Sequence, residues 1–189
     1  MDDTERAIGV LKLGGVIAYP TDTVYGLGAN IFDENAIRRV FEVKRRPLGK
    51  PISVMVSGIE MLERVAYLSP ENRSIAKELL PGPVTLILPA TEFVSTLLTG
   101  GTGTIGVRWI ESDTVNKIIL GAGFPITATS ANLAGGSDAK TPEELAVEPD
   151  FVLTGNCGLG QPSTVVDLVG KRILREGAGL EKVKQALEE

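Results

Sequence analysis

The sequence predicts an α/β protein built on a mixed, twisted β-sheet with helices packed on it. Three observations lead there. Short β-rich runs alternate with helical ones along the 189 residues, the pattern of layered sheet and helix. The apolar runs, such as VTLILPA at 84–90, fall far short of the ~20 residues of a membrane helix. The last three strand-like runs follow one another without long helices between them, which a purely parallel sheet does not allow.

Residues 4–13 read as a helix stopped by Gly14-Gly15. VIAY at 16–19 is a strand. DENAIRRVFEVK at 33–44 is a helix with Asp33 as N-cap and Ile37, Val40 and Phe41 on one face. Pro47 ends it by pushing its predecessor out of the helical region. PISVMV at 51–56 is a strand. SPENRSIAKELL at 69–80 is a second capped helix, stopped by Pro81-Gly82-Pro83. Strands follow at 84–89 and 104–109, a helix at 112–120 and a strand, PITATS, at 125–130. The late strands are 151–154, 163–168 and 172–176, and a helix covers about 179–188. No repeat or linker divides the chain, so one domain over residues 1–189 is expected.

Composition narrows the chemistry. There is no His and one Cys, Cys157. Triads with a His base, Cys/His zinc sites and an intrachain disulfide are thereby excluded. A metal would be a hard cation such as Mg²⁺. The acidic N-terminus MDDTERA is neither a secretory signal nor a transit peptide, which points to the cytoplasm. Net charge is −5, which argues against broad, non-specific binding to polyanions. Arg38, Arg39, Lys44, Arg45, Arg46 and Lys50 nonetheless make the stretch 38–50 basic, opposed only by Glu42. Its bland reading is a solvated helix face.

Five features carry candidate chemistry. Tyr19 to Gly28 is dense in hydroxyls, and its two alternate glycines allow close backbone approach to a ligand. Lys44, Arg46 and Lys50 sit at a helix end and in the following loop. Thr127 to Asn132 runs from a strand into small polar groups and Gly135-Gly136. Pro162 to Asp167 starts a strand with two hydroxyls, with Arg175 beyond. Arg108 is a cation inside an apolar strand, so it faces a cavity or a partner carboxylate. Together they outline one concave site suited to binding a nucleotide phosphate, without a general base. Cys157 reads as a small buried hydrophobe.

PTDTVYGLG, the Lys-x-Arg of Lys44 and Arg46, Pro81-Gly82-Pro83-Val84-Thr85, Ser130-Ala131-Asn132 and Ser163-Thr164-Val165-Val166-Asp167 stand in the order found in YrdC-type threonylcarbamoyl-AMP synthases. The chain resembles that family over about residues 5–177, in its short single-domain form. The resemblance implies a YrdC-like twisted mixed sheet with flanking helices around a deep basic cavity. It implies a nucleotidyltransferase that makes L-threonylcarbamoyl-AMP and pyrophosphate from L-threonine, bicarbonate or CO₂, and ATP with Mg²⁺. The product would pass to a Kae1/TsaD-type tRNA threonylcarbamoyltransferase for t6A at position 37 of ANN-decoding tRNAs.

Residue by residue, the resemblance implies Thr23, Arg108 and Ser163 on the threonine side, and Met55 where many relatives have His. It implies Arg46, Lys50, Thr104, Ser130, Asn132, Asp138 and Arg175 on the ATP side. Lys44, Arg46 and Lys50 are the implied catalytic cations, and no protein-held metal is implied. Thr129 stands where Pro commonly precedes Ser-Ala-Asn. Two other readings compete: a carbamoyl-adenylate former on the same fold, and a non-catalytic RNA-binding module.

Overall fold

The computed structural model describes residues 2–188. Helix α1 (Asp3–Lys12) opens with a capping box, in which Asp2 Oδ1 accepts from Glu5 N–H at 2.8 Å and Glu5 Oε2 from Asp2 N–H at 3.1 Å. A hairpin follows, β1 (Ile17–Tyr19) and β2 (Gly26–Gly28), then α2 (Glu34–Val43), capped by Asp33. Next come β3 (Ser53–Met55), α3 (Ile59–Val65), α4 (Pro70–Leu79) capped by Ser69, and β4 (Val84–Pro89). The single turn α5 (Thr96–Thr99) leads to β5 (Thr104–Arg108), α6 (Asp113–Ala122) and β6 (Ile126–Ser130). The chain closes with β7 (Phe151–Val152), β8 (Thr164–Asp167), β9 (Arg172–Arg175) and α7 (Leu180–Glu188).

The end of α2 differs from expectation. Arg45 adopts a left-handed φ of 48°. Its N–H donates to Glu42 O and the Arg46 N–H to Phe41 O, at 2.9 and 2.8 Å. This is a Schellman stop, completed before Pro47 is reached. It leaves Lys44 buried while the chain reverses at Arg46.

Among the described residues, nine strands form one mixed sheet in the order β7-β1-β2-β6-β3-β5-β4-β8-β9. β1/β7, β3/β5 and β4/β8 are parallel, and the other neighbours are antiparallel. Helices α2, α3, α4 and α7 bury Ile37, Phe41, Leu62, Leu79 and Val183 in a large cluster with Val54, Leu86, Val107 and Val166. α1 and α6 bury Leu11, Val115, Ile118 and Ile119 in a smaller cluster with Ile17, Met55 and Ile126. Strand side chains alternate between faces, so these two clusters lie on opposite sides of the sheet.

β7 and β8 are consecutive in the chain, yet six strands separate them in the sheet. Laid flat, they would stand about 34 Å apart at the usual strand spacing. Residues 153–163 reach only ~36–40 Å when fully extended. They are not extended: Gly160 turns with φ +64°. The N–H groups of Gly158, Leu159 and Gly160 donate to the carbonyls of Thr21, Asp22 and Thr23 at 3.2, 2.7 and 3.0 Å. The sheet is therefore curled. The β1–β2 loop arrives over β5, where Arg108 Nη2 donates to Asp22 Oδ1 at 2.6 Å.

Candidate functional site

The concave face is only partly covered by α1 and α6. What they leave open is a cavity of about 250 Å³. Its wall is written by strand alternation. Ser53, Thr85, Arg108 and Val165 face it, each beside a core residue of the large cluster on the other face, Val54, Leu86, Val107 and Val166. Tyr19, Thr21, Thr23, Tyr25, Ser163 and Arg175 also line it. Arg46, Ser130 and Asp138 complete it, so the charged lining is three arginines and one carboxylate.

Gly26 and Gly28 serve this wall in a way the sequence did not suggest. A Cβ on Gly26 would lie 3.1 Å from Tyr19 Cζ, and one on Gly28 3.0 Å from Tyr19 Cε1. The glycines admit the Tyr19 ring, whose hydroxyl donates to Thr127 O at 3.0 Å. Burial pushes the Tyr19 phenol well above its ordinary range.

On one side stand Thr23, Arg108 and Ser163. Thr21 Oγ1 donates to Val24 O at 2.7 Å, so its 3.0 Å bond to Thr23 Oγ1 is donated by Thr23. Thr23 also accepts from Arg108 Nη2 at 3.2 Å. It has one lone pair left and no proton to give. Ser163 Oγ pairs with Thr85 Oγ1 at 2.8 Å, and Arg175 donates to Ser163 O at 2.8 and 3.1 Å. Burial raises the Asp22 carboxyl above its usual range, opposed by the charge and hydrogen bond of Arg108.

On the other side, Asn132 is the organiser. Its Oδ1 accepts from Lys44 Nζ and from Ser130 Oγ, both at 2.8 Å. Its amide donates to Gly136 O at 2.7 Å and to Asp138 Oδ1 at 3.1 Å. Lys44 Nζ also donates to Ser130 O and, at 3.0 Å, to Asn132 O. Arg46 Nη2 donates to Pro51 O at 3.0 Å, while its Nε is buried without a partner. Burial holds both the Arg46 and Arg175 guanidiniums below their ordinary range, with the Arg108 charge adding to the effect at Arg175.

Seven of the residues singled out in the sequence line the cavity: Thr23, Arg46, Arg108, Ser130, Asp138, Ser163 and Arg175. Five do not. Lys44 is fully buried, with all three of its protons directed at Ser130 and Asn132, so it braces the wall instead of offering a free cation. Asn132 likewise holds lining residues without being one. Met55 is packed in the smaller apolar cluster, beneath the site. Thr104 starts the strand that Arg108 ends, ~13 Å away at the usual rise, and pairs with Thr102 Oγ1 at 3.0 Å. Lys50 is exposed on the loop beyond Arg46. Asp22, Ser53 and Thr85 were missed. The last two were legible as polar residues alternating with apolar ones in short strands.

No helix among the described residues is long and apolar enough to cross a membrane. A family model for Sua5, YciO and YrdC proteins, described as telomere recombination, matches residues 9–177. A threonylcarbamoyl-AMP synthase of Pyrococcus abyssi is 39% identical over 170 residues, 86% of this chain but 49% of its own length. The chain thus spans about half of that relative. A threonylcarbamoyl-AMP synthase of Xanthomonas campestris is 37% identical over 92% of this chain and 97% of its own. The crystal structure of P. abyssi Sua5 complexed with L-threonine superposes with a TM-score of 0.89 at 37% identity, covering 97% of this chain and 56% of that one. A match over most of the chain, by motif order, identity and architecture together, places it: the protein belongs to the Sua5/YciO/YrdC family.

Proposed function

We propose that the protein is an L-threonylcarbamoyladenylate synthase, joining L-threonine, bicarbonate or CO₂, and ATP, with release of pyrophosphate. The observation that carries this reading is that one cavity gathers both sets of residues. We assign Thr23, Arg108 and Ser163 to an amino-acid end and Arg46, Ser130, Asp138 and Arg175 to a nucleotide end, the two meeting where Arg175 bonds Ser163. Ser130 and Arg108 stand on β6 and β5, two strands apart, roughly 10 Å at the usual spacing.

The threonine ammonium loses a proton to solvent, and the free amine adds to CO₂ with loss of a second proton to give a carbamate. A carbamate oxygen then attacks the α-phosphorus of ATP, and the bond to pyrophosphate breaks. Thr23 has only a lone pair to offer, which suits the hydroxyl of threonine. Arg108 takes the carboxylate. Ser130 Oγ already donates to Asn132, so it accepts from the nucleoside, and Arg46 and Arg175 neutralise phosphate charge. Holding the short-lived carbamate against ATP is worth up to ~7–11 kcal/mol of the barrier. Mg²⁺ bound to ATP would supply further charge neutralisation. Such an ion takes one or two carboxylates besides phosphate and water, and Asp138 in the lining fits that part. Among the described residues there is no cluster of three or more ligating side chains.

The product is an activated acyl adenylate and needs an acceptor enzyme. We assign that step to a Kae1/TsaD-type transferase acting on adenosine 37 of tRNA in the cytoplasm. Pyrophosphate release from ATP by the purified protein tests the reading. It should require threonine and bicarbonate together. Release that ignores threonine would reduce the activity to ATP hydrolysis and overturn the assignment.

A further inference from the structure

Both proposed substrates carry anions, and three arginines share one cavity. Something must direct the amino-acid carboxylate to Arg108 and the phosphates elsewhere. Arg108 Nη2 directs its two protons at Asp22 Oδ1, 2.6 Å away, and Thr23 Oγ1, 3.2 Å away. Arg108 Nη1 has no acceptor and, unlike Nε, is not a buried orphan. It is the edge left for a ligand. Asp22 and Arg108 are both largely buried, with side-chain exposures of 19% and 10%.

Asp22 itself is pinned from behind. Its carbonyl accepts from Leu159 N–H at 2.7 Å, between the bonds that hold Thr21 and Thr23. The backbone of Asp22 is thereby held against the crossing segment, and its carboxylate is held by Arg108. A buried ion pair is weak evidence for stability. A fixed charge beside a ligand site can nonetheless sort ligands, because a wrongly placed anion is repelled by the carboxylate. Among the described residues Arg46 and Arg175 have no carboxylate bonded to them.

We propose that Asp22 is the positioning and selectivity residue of the amino-acid end. Paired with Arg108, it cancels the charge of that guanidinium, so the Thr23–Arg108 part of the cavity admits a zwitterionic amino acid and turns phosphate away toward Arg46. The proposal rests on the threonine-and-ATP reading above. It adds a residue that sorts the two substrates without touching either.

Calorimetric titration of the full chain with L-threonine, ATP and pyrophosphate, separately and in competition, tests it. Asp22→Asn should weaken threonine about tenfold or more while ATP stays within about twofold. Pyrophosphate should become a competitor of threonine in that variant alone. Asp22→Glu keeps the charge but moves it by one methylene, so threonine should weaken without the new competition. A melt followed by circular dichroism checks folding of both variants. Wild-type threonine affinity in Asp22→Asn, or equal weakening of threonine and ATP, would overturn the proposal. A wild-type protein that binds no threonine would overturn the functional reading itself, and this inference with it.

Discussion

Lys44 Nζ holds Asn132 at two points, its carbonyl at 3.0 Å and its side-chain Oδ1 at 2.8 Å. Asn132 in turn orients Ser130 and Asp138. A lysine at the end of α2 thus sets the nucleotide wall from outside it. Lys44→Met keeps much of the side-chain volume and removes every donor. We expect kcat/KM for ATP to fall about tenfold or more, and stability to drop by ~1–3 kcal/mol as buried acceptors lose their partner. Steady-state kinetics and thermal melts measure both. Unchanged ATP kinetics would show that the wall stands without Lys44.

The same amine gives a pH signature. Burial first, then the charge of Arg46, lowers its pKa from 10.5 to about 8, with Asp138 opposing. Above pH ~8 the folded protein releases a proton that the unfolded chain keeps until about 10.4. Raising the pH through that window therefore favours the folded state through this group. A neutral amine has two protons for three acceptors, so nucleotide affinity should fall in the same window. KM for ATP should climb between pH 7.5 and 9.5, on the order of the Lys44 titration, without loss of thermal stability. A parallel fall in both would assign the effect to unfolding.

The basic stretch divides. Arg46 lines the cavity, whereas Arg39 pairs with Asp150 on the surface. Arg46→Ala should cut kcat/KM for ATP roughly 10–150-fold, the loss of one charge-assisted contact. Arg39→Ala should leave it unchanged and cost at most ~1 kcal/mol of stability. Comparable kinetic losses from the two variants would mean that the stretch acts as a diffuse field.

Substrate choice follows from Thr23. With its proton given to Thr21 and one lone pair occupied by Arg108, it can only accept. A ligand lacking the matching hydroxyl leaves that acceptor unpaired. Alanine should therefore be used at least ~100-fold less efficiently than threonine, with serine the better competitor. Equal kcat/KM for alanine and threonine would contradict the orientation assigned to Thr23.

Local rules made much of this legible. Asp33 and Ser69 mark helix starts because their side chains satisfy free N–H groups. Arg108 stands out because a cation in an apolar strand needs a reason. β2 was invisible, since Gly26-Leu27-Gly28 has little strand propensity. It exists because the Tyr19 ring occupies the space that side chains would fill. The resemblance gives Lys44 as a catalytic cation and Asn132 on the ATP side; the motif alone does not tell that both bond to the cavity wall from behind its lining. Asp22 escaped because its partner lies 86 positions away, a distance that only the curl of the sheet closes.

The crossing of residues 153–163 from one end of the sheet to the other bears on how the protein is born. Thr23 and Arg108 leave the ribosome early, but Ser163, Arg175 and the strap over Thr21–Thr23 arrive only with the last strands. A nascent chain ending before β8 holds half a cavity with an unpaired β4 edge. Such non-local closure folds slowly, and exposed strand edges invite wrong pairing. Closure of the cavity and covering of the β4 edge are thus acquired in one event, when residues 153–175 join the sheet.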